Sequence, residues 1–249
     1  MINMNFYPIF LREMIIFKRR LSSKGYLFST IIAPLLYLIA FGLGLGRGMS
    51  IDGVSYLMFV VPGICAMSSM TNSYSWIATS IAVGRLHFKT FDEYLVSPLT
   101  ATDIMLGEVL SGVVRGVFAS SIILVAGVIF GAGLPQSPIF LVVWILNCFI
   151  FACLGVISGF WAKSHEDTAT FSNFVIMPMA FFCGTFFPVD RLPYFIKTVL
   201  YFLPLTHASN VLRASFLGQR IEIISVGIML AIFVVCFYWG IIVIRRANR

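Results

Sequence analysis

Uncharged runs of roughly membrane-spanning length alternate with short polar segments along almost the whole chain. A bilayer core requires about 20 consecutive apolar residues in a helix. The run Tyr26 to Leu45 meets this and predicts a first span over about 26–46. Val54 to Val83 predicts a second, longer span, tilted or protruding, with a kink expected at Pro62. Ile104 to Phe130, about 139–162, about 169–187 and about 223–244 predict four more, the fifth only marginally long enough and carrying Pro178. Gly131 to Pro138 reads as a turn between the third and fourth spans.

Three polar segments have a helical period instead. Near the N-terminus, Phe6, Phe10, Met14, Phe17 and Leu21 recur every three or four residues, while Arg12, Glu13, Lys18, Arg19 and Arg20 fill the remaining positions. This predicts a helix lying in the membrane plane with a basic edge. Between spans two and three, Phe88, Phe91 and Leu95 share one helical face, with His87, Lys89, Asp92 and Glu93 elsewhere, so a short helix is expected over about 87–97. Pro98 ends it, and Thr100 with Asp103 has the spacing of a capping box for the next helix. Between spans five and six, Phe195, Val199, Phe202 and Leu203 form one apolar stripe, Pro204 interrupts, and Leu205, Ala208, Leu212 and Phe216 form another that stops at Gly218. A hairpin of two short helices over about 188–218, dipping into the outer leaflet, is expected there.

Composition agrees with this pattern. Of the 249 residues, 59% are hydrophobic and 11% charged, and the mean hydropathy is +0.97, which is outside the soluble globular range. An all-α polytopic membrane protein with a single domain, 1–249, is the economical reading, because no polar segment is long enough to bury a core of its own. The formal charge of +7 is explained without nucleic acid by basic residues kept on the cytoplasmic side. With the N-terminus inside, Arg12, Lys18, Arg19, Arg20, Lys24, Arg85, Lys89, Lys163, Arg245, Arg246 and Arg249 face the cytoplasm. Arg47, Arg191, Lys197, Arg213 and Arg220 face out, and both termini are expected inside. The five cysteines lie in apolar runs without metal-ligand spacing and read as small core residues. No cleavable signal is evident, and the first span is expected to direct targeting.

Catalytic chemistry is mostly missing. There is no Gly-Lys pair, hence no phosphate-cradling P-loop, and neither H-E-x-x-H nor G-x-S-x-G occurs. His87 and Asp92 have the H-x-x-x-x-D spacing of lipid acyltransferases, but five helical residues rotate the two side chains roughly 140° apart. His165, Glu166 and Asp167 are consecutive and do not converge on a metal ion. Glu108 and Arg115 stand inside the third span, where charges are costly and face protein or water. Seven residues separate them by about 10 Å along the helix, so each needs a partner elsewhere. For Glu108 the alternative is a place at the cytoplasmic interface; for Arg115, a tie to another helix or a lining of the substrate path.

The segments VVPGICAMSSMTNSY at 60–74, KTFDEYLVSPLTATDIMLGEVLSGVVRG at 89–116 and FFPVDRLPYFIKTVLYFLPLTHASNVLRASFLG at 186–218 resemble type-2 permeases of ATP-binding-cassette exporters. The likeness is to the subgroup with the nodulation-factor exporter permease and related bacterial drug or polysaccharide exporters. It implies a non-catalytic permease of the bacterial inner membrane, working as two copies with two copies of a separate ATPase that binds ATP and Mg. It also implies that Phe88, Phe91, Asp92, Glu93 and Leu95 form the helix docking on that ATPase. The N-terminal helix, with Phe10, Phe17, Arg19 and Arg20, would be a cytoplasmic gate, and the hairpin with Pro188, Arg191, Pro204 and Arg213 an outer cap. Lining residues would come chiefly from spans one, two and five, suiting an amphipathic, glycan or lipid-linked cargo. The competing readings are a channel or secondary transporter without an ATPase, and a membrane acyltransferase using His87 and Asp92.

Overall fold

The computed structural model describes residues 5–247 except 47, 52, 91, 92, 95 and 96, and is nearly all helix. Helix α1 spans Tyr7–Leu21. Helix α2, Lys24–Tyr37, continues as a wider π-helix over Leu38–Leu45. A two-residue hairpin, Ser50–Ile51 paired with Val54–Ser55, leads into α3, Tyr56–Leu86. Helices α4, Ala101–Ile129, and α5, Ile139–Trp161, follow. Next come α6, His165–Phe171, a π-helical stretch Ser172–Ile176, and α7, Met177–Phe182. After a 3-10 turn at Val189–Arg191 come α8, Tyr194–Leu200, α9, Pro204–Leu217, and α10, Ile223–Ala247.

Local chemistry sets the helix ends. The Thr100 hydroxyl accepts from the Asp103 amide at 3.2 Å, and the Asp103 carboxylate accepts from the Thr100 amide at 2.9 Å. The same reciprocal box, from Ser164 and Asp167, starts α6. Gly218 closes α9 at φ +67°, the left-handed conformation that glycine adopts without penalty. Pro178 has no N–H to give the carbonyl four residues back, and the helix immediately before it is wound in π register.

Helix α3 is the packing centre, held between α4 and α5 by two G-x-x-x-G faces. A Cβ on Gly116 would lie 2.9 Å from the Ser69 carbonyl oxygen, and one on Gly155 would lie 2.8 Å from that of Tyr74. Such close backbone approach also brings polar groups together. The Asn147 amide donates to the Ala66 carbonyl at 3.1 Å and to the Ser69 hydroxyl at 2.8 Å. The Trp144 indole donates to Ser120 at 2.7 Å.

One expectation is corrected by this packing. Glu13, placed by the sequence pattern among the outward polar positions of α1, is fully buried. The buried stripe is Ile9, Glu13 and Phe17, while Phe6, Phe10 and Met14 are only half-buried. The buried face carries the ionic partner of Arg115 together with Ile9 and Phe17. The two hairpin stripes differ in burial. Leu205, Ala208, Leu212 and Phe216 are buried as one face of α9, whereas Phe195, Val199 and Phe202 stand exposed on and after α8.

Among the described residues, three helices are by themselves long and apolar enough to cross a membrane: α4, α5 and α10. Helix α3 has the length but is diluted by Ser, Thr and Asn. The first and fifth apolar runs are interrupted by π turns.

Candidate functional site

The charges inside the bundle converge where α1 crosses α3 and α4. The Arg115 guanidinium meets the Glu13 carboxylate at 3.2 Å and donates to the Glu13 carbonyl at 2.9 Å. The same carboxylate oxygen accepts from the Trp76 indole at 2.9 Å. Arg115 lies 3.9 Å from the Trp76 ring centroid and 4.8 Å from that of Phe17, so its charge is enclosed by an anion and two aromatic faces. The partner that the sequence required for Arg115 is therefore Glu13, which no local pattern singled out. Glu108 is also buried, and its Oε2 has no hydrogen-bond partner.

A second tie runs to the segment between α3 and α4. The Arg12 guanidinium donates to the Tyr94 hydroxyl and lies 5.7 Å from its ring centroid. Burial, and next the Glu108 charge, push the Tyr94 phenol up to about 12, so its oxygen is a neutral acceptor for Arg12. In that segment Thr90, Glu93 and Tyr94 are helical. Phe88 is 72% exposed, and Glu93 and His87 are exposed as well. Lys89 turns the chain at φ +50°, a region uncommon for a residue with a Cβ. Phe91, Asp92 and Leu95 lie outside the described residues, so the His87 and Asp92 spacing receives no geometry. Of the N-terminal candidates, Phe17 is buried, Phe10 half-buried, and Arg19 and Arg20 exposed. Arg20 stacks 4.2 Å from the Trp76 ring centroid.

Two clefts open beside α3. One, of about 370 Å³, lies between α2, α3 and the α6–α7 run; the other, of about 430 Å³, lies between α1, α2, α3 and the segment after α3. Thr30, Asn72 and Ser75 belong to both walls, so the two adjoin.

At the opposite end, Arg213 ties the hairpin down. It is buried, donates to the carbonyls of Phe59, at 3.1 Å, and Gly184, and lies 3.7 Å from the Phe59 ring centroid. Pro204 is buried in the first turn of α9, Pro188 precedes the 3-10 turn, and Arg191 is exposed. The His207 ring bridges the Tyr201 carbonyl, at 2.8 Å, and the Ser225 hydroxyl on α10, at 3.2 Å. Neither His207 nor Ser225 was anticipated.

Residues 6–217 match the family model described as ABC-2 type transporter. The chain is 29% identical over 225 residues to the inner membrane transport permease YadH of Escherichia coli K12, covering 88% of each. It is 34% identical over 220 residues to Nodulation protein J of Rhizobium meliloti strain 1021, covering 86% of this chain and 83% of that protein. Nodulation protein J of Rhizobium leguminosarum bv. viciae matches at 29% over 254 residues, 98% of this chain and 95% of the relative. With the family model covering most of its length and relatives matched nearly end to end, the chain belongs to the ABC-2 type transporter family of membrane permeases.

Proposed function

We propose that this chain is the permease subunit of an ATP-binding-cassette exporter in a bacterial inner membrane, assembled as two permease copies with two copies of a separate ATPase that binds ATP and Mg. Six membrane passages then use α2 with its π extension, α3, α4, α5, the α6–α7 run and α10, with both termini in the cytoplasm. The hairpin of α8 and α9 lies at the outer side. The segment between α3 and α4 is the ATPase-docking helix. There Phe88, Phe91 and Leu95 supply apolar anchors, and Asp92 and Glu93 the polar rim. Helix α1 is the cytoplasmic gate.

The observation that carries this reading is the double tie of α1. Arg12 holds it to Tyr94 in the docking segment, and Glu13 holds it to Arg115 inside α4. A displacement of the docking segment by closing ATPase subunits is thereby delivered to a helix beside the cleft, the kind of rigid-body step by which such switches work. The cargo is an amphipathic molecule, in keeping with a cleft walled by both hydroxyls and aromatic rings.

The test is copurification. The tagged chain in mild detergent is expected to recover an ATP-binding-cassette ATPase, identified by mass spectrometry. Phe88→Asp and Phe91→Asp are expected to lose it while migrating as the same monodisperse species. An ATPase retained by both variants would place the docking surface elsewhere. No ATPase with the wild type under complex-preserving conditions would remove the exporter reading in favour of a channel.

A further inference from the structure

The ring of His207 joins three elements at the end of the bundle that carries the hairpin. His207 stands in the first turn of α9, and its Nε2 meets the Tyr201 carbonyl, just past α8, at 2.8 Å. Its Nδ1 meets the Ser225 hydroxyl in α10 at 3.2 Å, and that hydroxyl donates to the Glu222 carboxylate at 3.2 Å. Ring and hydroxyl are buried, whereas Glu222 is exposed. Hydrogens can be counted along this line. A carbonyl only accepts, so Nε2 carries a proton. A carboxylate only accepts, so the single hydroxyl hydrogen of Ser225 is spent on Glu222. Nδ1 then faces an oxygen lone pair and makes that contact as a donor. All three contacts are made together only by the imidazolium. The neutral ring keeps its proton on Nε2 for the carbonyl, and Ser225 must then choose between Nδ1 and Glu222.

From this count we infer that His207 is a proton-operated latch: one proton taken up from water completes the line from Tyr201 through His207 and Ser225 to Glu222 and fastens the hairpin to α10. Imidazole is the side chain whose charge changes near neutral pH. A tie made by the charged ring is present in acid and lost as pH rises through its titration, so the latch tightens as the pH falls. Glu222 is the anion that favours this state. Asp190 and Lys197, beside α8, pair with each other. Arg213, further along α9, is held by the carbonyls of Phe59 and Gly184, and Arg220 is exposed. The phenols of Tyr56 and Tyr201 and the thiol of Cys183 carry no charge where imidazole titrates. Helix α5 contains no charged residue, and the one in α3, Arg85, lies at its far end. Helix α8 leaves Phe195 and Val199 exposed. The Thr206 hydroxyl ties it to α9 through the Leu200 carbonyl at 2.6 Å, and the His207 ring adds the connection onward to α10. Which compartment's pH the latch senses rests on the permease reading, which puts the hairpin at the outer side; the proton count does not.

The ring nitrogens report the latch directly. The chain has three histidines, so the full-length protein labelled with nitrogen-15 histidine in nanodiscs gives three sets of ring signals, and the set lost in His207→Gln belongs to His207. On acidification from about pH 8 to about pH 5 that set is expected to pass from the neutral to the doubly protonated form. Its midpoint should fall by about one pH unit in Ser225→Ala, as for the loss of one charge-assisted hydrogen bond, and fall also in Glu222→Gln. Amide exchange over 200–207, corrected for the intrinsic effect of pH, is expected to be about ten-fold slower in the wild type at the acid end, and Ser225→Ala should abolish that difference. If either substitution leaves the midpoint unmoved, if wild-type exchange is equal at the two ends, or if the difference survives Ser225→Ala, the inference is overturned. Glu222 is exposed, so Glu222→Gln keeps the test decisive even where Ser225→Ala unsettles α10. Capture of the ATPase by the same nanodiscs reports separately on the permease reading, and its failure would leave the titration of the ring intact.

Discussion

The fully enclosed Arg115 guanidinium has its counter-charge in Glu13. Glu13→Gln keeps the shape and a hydrogen bond to Trp76 but removes the anion, leaving a buried cation unpaired. Breaking one side of such a pair costs about 3 kcal/mol or more. Glu13→Gln is therefore expected to lower the melting temperature of the solubilised protein sharply. Glu13→Gln combined with Arg115→Met should recover part of the loss, since the buried cation left without its Glu13 partner is then gone as well. A double variant no better than the sum of the singles would mean that the pair contributes no coupling. The sequence exposed only half of this pair. Arg115 stood out because its neighbours are apolar, whereas Glu13 sat in a helix whose Lys18, Arg19 and Arg20 do face outward. Its burial follows from a partner on α4 and an indole on α3, contacts that no spacing within α1 encodes.

At the scale of elements, the apolar runs were legible because run length alone distinguishes a long buried helix from a loop. The caps at Thr100 and Gly218 were legible because capping is local chemistry. The π segments were not, since a wide turn appears only as the helix adapts to Pro34, Pro178 and its neighbours. The cap at Asp167 has a pH signature. Hydrogen bonds from the Lys163 amide, and next from Ser164, lower its carboxyl below the ordinary range. A lowered folded value means the cap stabilises above the unfolded value, about 3.9, and is lost as pH falls through the folded one. Hydrogen exchange in the first turn of α6 should therefore rise selectively below about pH 4, and Asp167→Asn should show the raised exchange already at neutral pH. Glycine substitutions test the packing faces. Gly155→Ala would press a methyl to 2.8 Å from the Tyr74 carbonyl oxygen and is expected to cost about 1–3 kcal/mol. Gly227→Ala in α10, with nothing within 4 Å, is expected to gain up to about 1 kcal/mol from helix propensity. Thermal melting of the two variants side by side separates close packing from a general intolerance of alanine.

Across the whole molecule, the proposed docking of an ATPase on the segment between α3 and α4 requires that a push there move groups around the cleft, and the fold offers a short route. Tyr94 lies in that segment and Arg12 in α1; Arg12 also lines the cleft, and α1 is anchored to α4 one residue further on, at Glu13. Tyr94→Phe removes the hydroxyl that accepts from Arg12 and leaves the ring beside the guanidinium in place. Exposed Phe88, on the same segment, is untouched, so ATPase capture should be unchanged. If the Arg12–Tyr94 bond carries the stroke, transport by the reconstituted complex should fall about ten-fold, the size of a typical coupling energy, while basal ATP hydrolysis persists. Hydrolysis and transport falling together would instead mean that Tyr94 supports docking. Transport unaffected by the substitution would assign the transmission to the direct continuity of the docking segment with α3 and α4, leaving α1 as a passive strut.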